Sequence, residues 1–285
     1  MVTILDGGIG QELMARSAMA PTPLWATKVL IEEPEVLRAV HDDFFAAGAT
    51  VATTNSYAIH HDRLIPAGLD GQFEPLHRKA CQIARASRDA AGGGRIAGAI
   101  GPLIGSYQTG PLPPDAVDRF AEICRIQAPY VDHFLIETVS ALEHVRVALA
   151  GARGHGKPLW LSVSVDDHDG TKLRSGEPLE GVMDCIDHAD ALLVNCATPE
   201  AVTTAVKVIK GCGKPFGAYA NGFTGITQSF VQVGATVREL STRTDLTPEA
   251  YAAFAEEWAR MGATIIGGCC EVGPAHIAEI VRRLT

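Results

Sequence analysis

Short runs of apolar or β-branched residues recur along the chain at 2–5, 50–54, 96–100, 133–137, 159–165, 191–196, 216–219 and 263–266. Most are apolar throughout rather than alternating, the pattern of strands covered on both faces in a parallel sheet. Between them the period lengthens to that of helices. Val36, Leu37, Val40 and Phe44 follow Pro34 and precede Gly48, a helix with proline at its head and glycine past its end. Leu142, Val145 and Leu149 follow Ser140 and Glu143, which have capping-box spacing. Thr198-Pro199 and Thr247-Pro248 each predict an N-cap with proline at the first helical position, leading into Val202, Val206 and Ile209 and into Tyr251, Phe254 and Trp258. Ile277, Ile280, Val281 and Leu284 form a closing amphipathic helix after Pro274. Eight strands, each followed by a helix, predict a single (β/α)8 barrel over residues 1–285 rather than an open doubly wound sheet. Residues 105–114 and 221–247 are expected as long loops added to that one domain.

Composition narrows the class. Hydrophobic residues make up 47% and charged residues 20% of the 285, a folded globular mixture rather than a disordered one. The 24 Lys and Arg against 33 Asp and Glu leave a net charge of -9 with no basic track, which argues against nucleic acid as a partner. The uncharged stretch 96–114 holds four prolines and four glycines and cannot be one membrane helix. The first residues lack the basic leader and apolar run of a secretory signal, and seven cysteines are an odd, unevenly spread set. A reducing cytoplasm is the expected compartment.

Candidate chemistry lies at the strand ends. Asn195-Cys196 closes the sixth strand and Gly267-Gly268-Cys269-Cys270 follows the eighth, and a parallel barrel brings all C-terminal strand ends to one rim. Three thiolates with a vacant fourth position describe a catalytic zinc site, with Cys196, Cys269 and Cys270 as ligands. Gly267 and Gly268 are expected to let the backbone turn tightly enough to aim adjacent cysteines at one Zn2+. A vicinal disulfide between Cys269 and Cys270 is the rival. Cys81, Cys124, Cys185 and Cys212 read as small buried hydrophobes. Gly8-Ile9-Gly10 opens like a dinucleotide fingerprint, but Leu13 stands where its third glycine belongs. His60-His61 and Asp166-Asp167-His168-Asp169 read as solvated polar turns.

Asp6-Gly7-Gly8, Asn195-Cys196 and Gly267-Gly268-Cys269-Cys270 resemble the homocysteine S-methyltransferase family, and the likeness runs nearly end to end. The resemblance implies a (β/α)8 barrel whose three cysteines hold zinc, and homocysteine bound through its sulfur for methylation to methionine. It makes Cys196, Cys269 and Cys270 the metal ligands. Glu137, in Phe134-Leu135-Ile136-Glu137, is similar to the family glutamate that recognises the amino group, and Asp6 to the acid lining the same pocket. Tyr57, in Thr54-Asn55-Ser56-Tyr57, resembles a tyrosine near the methyl donor, with Asn55 beside it in the substrate site. Two stretches depart from the family pattern. Glu271-Val272-Gly273 stands where many members have a threonine-rich turn, and 101–114 lacks the acidic, tyrosine-containing run of members that use S-methylmethionine.

The chemistry is self-consistent. A free thiol with pKa ~8.5 is mostly protonated at neutral pH, whereas a metal-coordinated thiol is deprotonated. A thiolate attacking a methyl group in line needs a neutral leaving group, which a sulfonium or quaternary ammonium donor provides, S-methylmethionine and betaine being examples. Aromatic faces could hold such a cation, and Trp25, Tyr57, Tyr107 and Tyr219 are the candidates. The small-molecule partners expected are therefore homocysteine and an onium donor. Methylation of another thiol or selenol is one alternative, and a non-catalytic zinc-binding barrel is the other.

Overall fold

The computed structural model describes residues 2–19, 24, 26–227, 229–231 and 239–285. Eight strands form one parallel sheet: β1 (Thr3–Ile4), β2 (Val51–Thr53), β3 (Arg95–Ile100), β4 (His133–Val139), β5 (Leu159–Val163), β6 (Ala191–Asn195), β7 (Phe216–Tyr219) and β8 (Ile265–Ile266). Their order is β1-β8-β7-β6-β5-β4-β3-β2, and a parallel bridge between Leu5 and Val51 brings the two ends together into a (β/α)8 barrel. Apolar runs without alternation are explained by two cores. Leu5, Val51, Ala97, Leu135, Trp160, Leu193 and Ile265 fill the barrel, while their strand neighbours such as Ile96, Phe134, Leu192 and Val194 pack outward under the helices. Trp160 occupies the inner core near the N-terminal strand ends, with the Arg95 guanidinium 5.3 Å from the centre of its ring system.

The crossovers carry the expected caps in most places. Helices run over Pro34–Ala46, Pro199–Ile209, Pro248–Arg260 and Pro274–Leu284, and the Thr198 and Thr247 side chains accept from Ala201 N and Ala250 N at 3.4 and 3.3 Å. Two expectations fail. Ser140 does not cap the helix Leu142–Ala152; its hydroxyl donates to the Thr138 carbonyl, and Glu177 accepts from Leu142 N at 2.9 Å instead. The crossover from β5 to β6 carries a 3-10 segment, Leu179–Cys185, in place of an α-helix. The chain there is committed to antiparallel bridges Val165–Leu173 and Lys172–Pro178, and Gly181 sits in the short stretch left over. Cys81 and Cys124 are buried as expected, but Cys185 and Cys212 are only half-buried. Among the described residues, no helix is long and apolar enough to cross a membrane.

Candidate active site

At the C-terminal strand ends the barrel opens into a cavity of about 700 Å3 lined by Asp6, Tyr57, Glu137, Cys196, Cys269 and Cys270 among others. The three sulfur atoms lie within 4.8 Å of one another, though they come from the ends of β6 and β8. Cys196 and Cys269 are drawn together as a disulfide with Cα atoms 5.9 Å apart, and Cys270 is free. The expected rival pair, Cys269 with Cys270, is thus not the one formed, because the sulfur across the rim lies within bonding reach of Cys269. Burial pushes the Cys270 thiol up to about 12.

Gly267 and Gly268 serve the cysteines differently from the expectation. Neither has a left-handed backbone; what they provide is space. A Cβ on Gly268 would run into Val272, and one on Gly8 would stand 2.7 Å from the Cys269 carbonyl oxygen. The first loop and the cysteine loop are therefore in backbone contact, sealed by Gly8 N to Val272 O at 2.9 Å and Gly268 N to Asp6 O at 3.0 Å. Cys269 N donates to Ala220 O at 3.0 Å, and Gly222 N to Cys270 O at 2.8 Å, so both cysteines are fixed through their main chain.

The acids sit opposite. Glu137 lies two residues beyond the inward-facing Leu135, which aims it into the cavity, and its Oε2 accepts from Tyr219 Oη at 3.2 Å. Loss of water raises its pKa to about 7, the Tyr219 hydrogen bond opposing only part of that. Asp6 is buried and fastened to β2: its Oδ2 accepts from Thr53 N at 2.7 Å and its Oδ1 from Thr53 Oγ1 at 3.1 Å. Burial lifts its pKa well above the ordinary aspartate value, against those bonds and with a further push from Glu137. Two acids that repel each other at one cavity wall form a place for a cation such as an ammonium.

Tyr57 Oη and Ser106 Oγ are 2.8 Å apart, and Asn55 Nδ2 donates to Ala26 O at 3.1 Å, so Tyr57 and Asn55 reach the cavity with settled side chains. Tyr107 and Tyr219 line it too. Trp25 lies outside the described residues.

Sequence reasoning missed a clasp behind the cysteines. Asp167 is no solvated turn residue: its carboxylate receives both Nη atoms of Arg174, at 2.6 and 3.0 Å, plus Thr198 N and Ile226 N. Arg174 also donates to the Cys196 carbonyl at 3.0 Å and stands 4.9 Å from the Tyr107 ring centroid. The pair is almost wholly buried, and it joins loops from four strand ends. A run of acids gives no hint of one being turned inward; an arginine seven residues on was the available signal. His60 and His61 are not a solvated turn either. His60 is buried, and burial lowers its pKa well below the usual value, while His61 lies between Asp70 and Glu122.

Among the described residues, four other than glycine have left-handed backbones: Tyr107, Thr138, Cys196 and Glu271, at φ 64°, 63°, 52° and 65°. All belong to the catalytic rim or the loops that frame it. Each such conformation costs on the order of 1–3 kcal/mol and persists only where surrounding contacts impose it.

Residues 3–284 match the family model described as homocysteine S-methyltransferase. The homocysteine S-methyltransferase of Escherichia coli strain K12 is 29% identical, the alignment covering 99% of this chain and 95% of that one. The selenocysteine methyltransferase of Astragalus bisulcatus is 26% identical over 99% of this chain and 93% of its own. Among solved structures, the metallated form of the homocysteine methyltransferase MmuM from Escherichia coli superposes with a TM-score of 0.81 at 27% identity, covering 99% of this chain and 96% of that one. A thiol-lined (β/α)8 methyltransferase is the class so defined. The chain belongs to the homocysteine S-methyltransferase family, and the reading as a non-catalytic barrel falls with that assignment.

Proposed function

We propose that residues 1–285 act as one homocysteine-binding barrel that uses zinc to transfer a methyl group from an onium donor to homocysteine, giving methionine. The observation carrying this reading is the meeting of three thiols from two distant strand ends beside a pair of buried acids. The donor set fits the metal: three soft sulfur ligands within one small sphere suit zinc, and they leave a position for a fourth sulfur. Cys196, Cys269 and Cys270 would hold the ion once reduced, and a reducing cytoplasm would keep them so. When bound, zinc supplies the charge that lets a thiol lose its proton at neutral pH.

The remaining work belongs to the chain itself. Glu137, ionised above about pH 7, attracts the ammonium of the amino acid, and Tyr219 holds that carboxylate by one oxygen. Asp6 lines the same wall, its carboxyl held by Thr53, while bracing β1 against β2. Tyr57 presents its ring near the donor, with its hydroxyl fixed by Ser106, and Asn55 packs beside it in the substrate site. Alignment of sulfur, methyl and leaving group within ~3–3.5 Å in the cavity contributes to the acceleration.

The test is a donor panel with zinc-loaded protein and homocysteine, reading methionine: S-methylmethionine, S-adenosylmethionine, betaine and a methylfolate. Turnover with a sulfonium or ammonium donor is expected. Turnover with methylfolate alone, or full activity after removal of zinc, overturns the proposal. Likeness to a selenocysteine methyltransferase makes selenocysteine the competing acceptor to include.

A further inference from the structure

One buried amide touches both halves of the site. Asn195 Oδ1 accepts from the Thr138 backbone N–H at 3.0 Å and from Ser162 Oγ at 2.9 Å, and its Nδ2 donates to Thr138 Oγ1 at 3.0 Å. Thr138 directly follows Glu137, and Cys196 directly follows Asn195. Thr138 has φ 63°, a region that β-branched residues avoid, and the register of β4 on β5 shifts between Ile136 and Val139, the interval that contains Glu137 and Thr138. Regular pairing through this point would return Thr138 to an extended backbone and re-aim its neighbour, since a one-residue slip reverses the direction of side chains in a strand. The Thr138 N–H that the distortion frees from the ladder and the Thr138 hydroxyl are both taken up by the same amide, while the Thr138 carbonyl accepts from Ser140 Oγ.

We propose that Asn195 is a positioning residue that locks the distortion in β4, so that the Glu137 carboxylate faces the ammonium of the amino-acid substrate. Its place next to Cys196 ties the direction of that carboxylate to the strand end that delivers a sulfur. This rests on the reading of Glu137 as the ammonium partner. It assigns substrate selectivity to a residue that need not touch substrate.

The experiment is binding calorimetry on metal-loaded protein with homocysteine and with 4-mercaptobutanoate, which is homocysteine without its amino group. The unmodified protein is expected to prefer homocysteine by about ten- to a hundredfold, the range of a charge-assisted hydrogen bond. In Asn195→Ala that preference should collapse towards one while affinity for 4-mercaptobutanoate holds. Adding Thr138→Gly to Asn195→Ala should restore part of the preference, because glycine adopts positive φ without an amide to impose it. Equal weakening of both ligands in Asn195→Ala, with no recovery in the double variant, marks Asn195 as ordinary core and overturns the proposal. Absence of any preference in the unmodified protein instead overturns the reading of Glu137, and the proposal with it. Should Asn195→Ala not fold, Ser162→Ala removes one donor to the amide and gives the same ratio to compare; an unchanged ratio there counts against the proposal.

Discussion

Among the described residues, left-handed backbones at residues other than glycine occur at one end of the barrel and not at the other. At the end where strands begin, Gly48, Gly94, Gly156, Gly213 and Gly262 carry the positive φ values, residues for which that conformation is nearly free. Where strands end, Tyr107, Thr138, Cys196 and Glu271 are forced into the same region. A loop that only has to turn the chain can use glycine. A loop that must also present a sulfur, a ring or the residue beside a carboxylate needs a side chain, and it bears the strain. The barrel thus separates stability from chemistry along its axis, with strain confined to the end that holds the cavity.

That contrast can be broken or sharpened by substitution. The largest effect is expected at the sulfurs: Cys196→Ser, Cys269→Ser or Cys270→Ser should each reduce zinc content, measured by metal analysis, and drop methionine formation to background, with little change in far-ultraviolet circular dichroism. Next comes the clasp. Arg174→Ala leaves the Asp167 carboxylate buried without its cation, and denaturant unfolding should show a loss of about 3–5 kcal/mol. Glu137→Gln should act in opposite directions on binding and stability. Because the folded protein holds the Glu137 proton up to about pH 7 against an ordinary value of 4.5, its contribution to stability is full below 4.5 and lost as pH rises through about 7. Above pH 7 the glutamine variant should accordingly be the more stable by about 1–3 kcal/mol, the difference vanishing near pH 4.5, while homocysteine binds it more weakly. Homocysteine affinity of the unmodified protein should rise as pH increases through the same interval. The smallest effect belongs to the quiet end. Gly48→Ala, at φ 97° with its new Cβ 2.9 Å from Val281, should cost about 1–2 kcal/mol of stability and leave kcat/KM unchanged.

Much of this frame was legible in the chain because burial on both faces writes itself as unbroken apolar runs, and because prolines and threonines mark helix starts locally. The gathering of the three cysteines followed from topology alone: parallel strands share a rim. The rest depended on partners distant in sequence. Apart from Arg174 seven residues on, nothing near Asp167 says that Thr198 N and Ile226 N will converge on it, so a run of acids looked solvated. Ser140 and Glu143 had the right spacing for a capping box, but Glu177 took over the role from another loop. The distortion at Thr138 has no local signature either, since threonine in a β-branched run argues for regular strand; it is imposed by an asparagine 57 positions on. The crossover before β6 failed as a helix because its residues were spent on antiparallel bridges, a competition that periodicity does not register.

The contact of Gly7 and Gly8 with the loop around Cys269 and Val272 bears on how the molecule is made. During synthesis the first strand leaves the ribosome long before its neighbour β8 exists, and it must wait through most of translation with one edge unpaired. The sulfur cluster comes into being only when β8 docks between β1 and β7. A chain that stops short of β8 lacks two of the three sulfurs, and with them the cluster that could hold a metal.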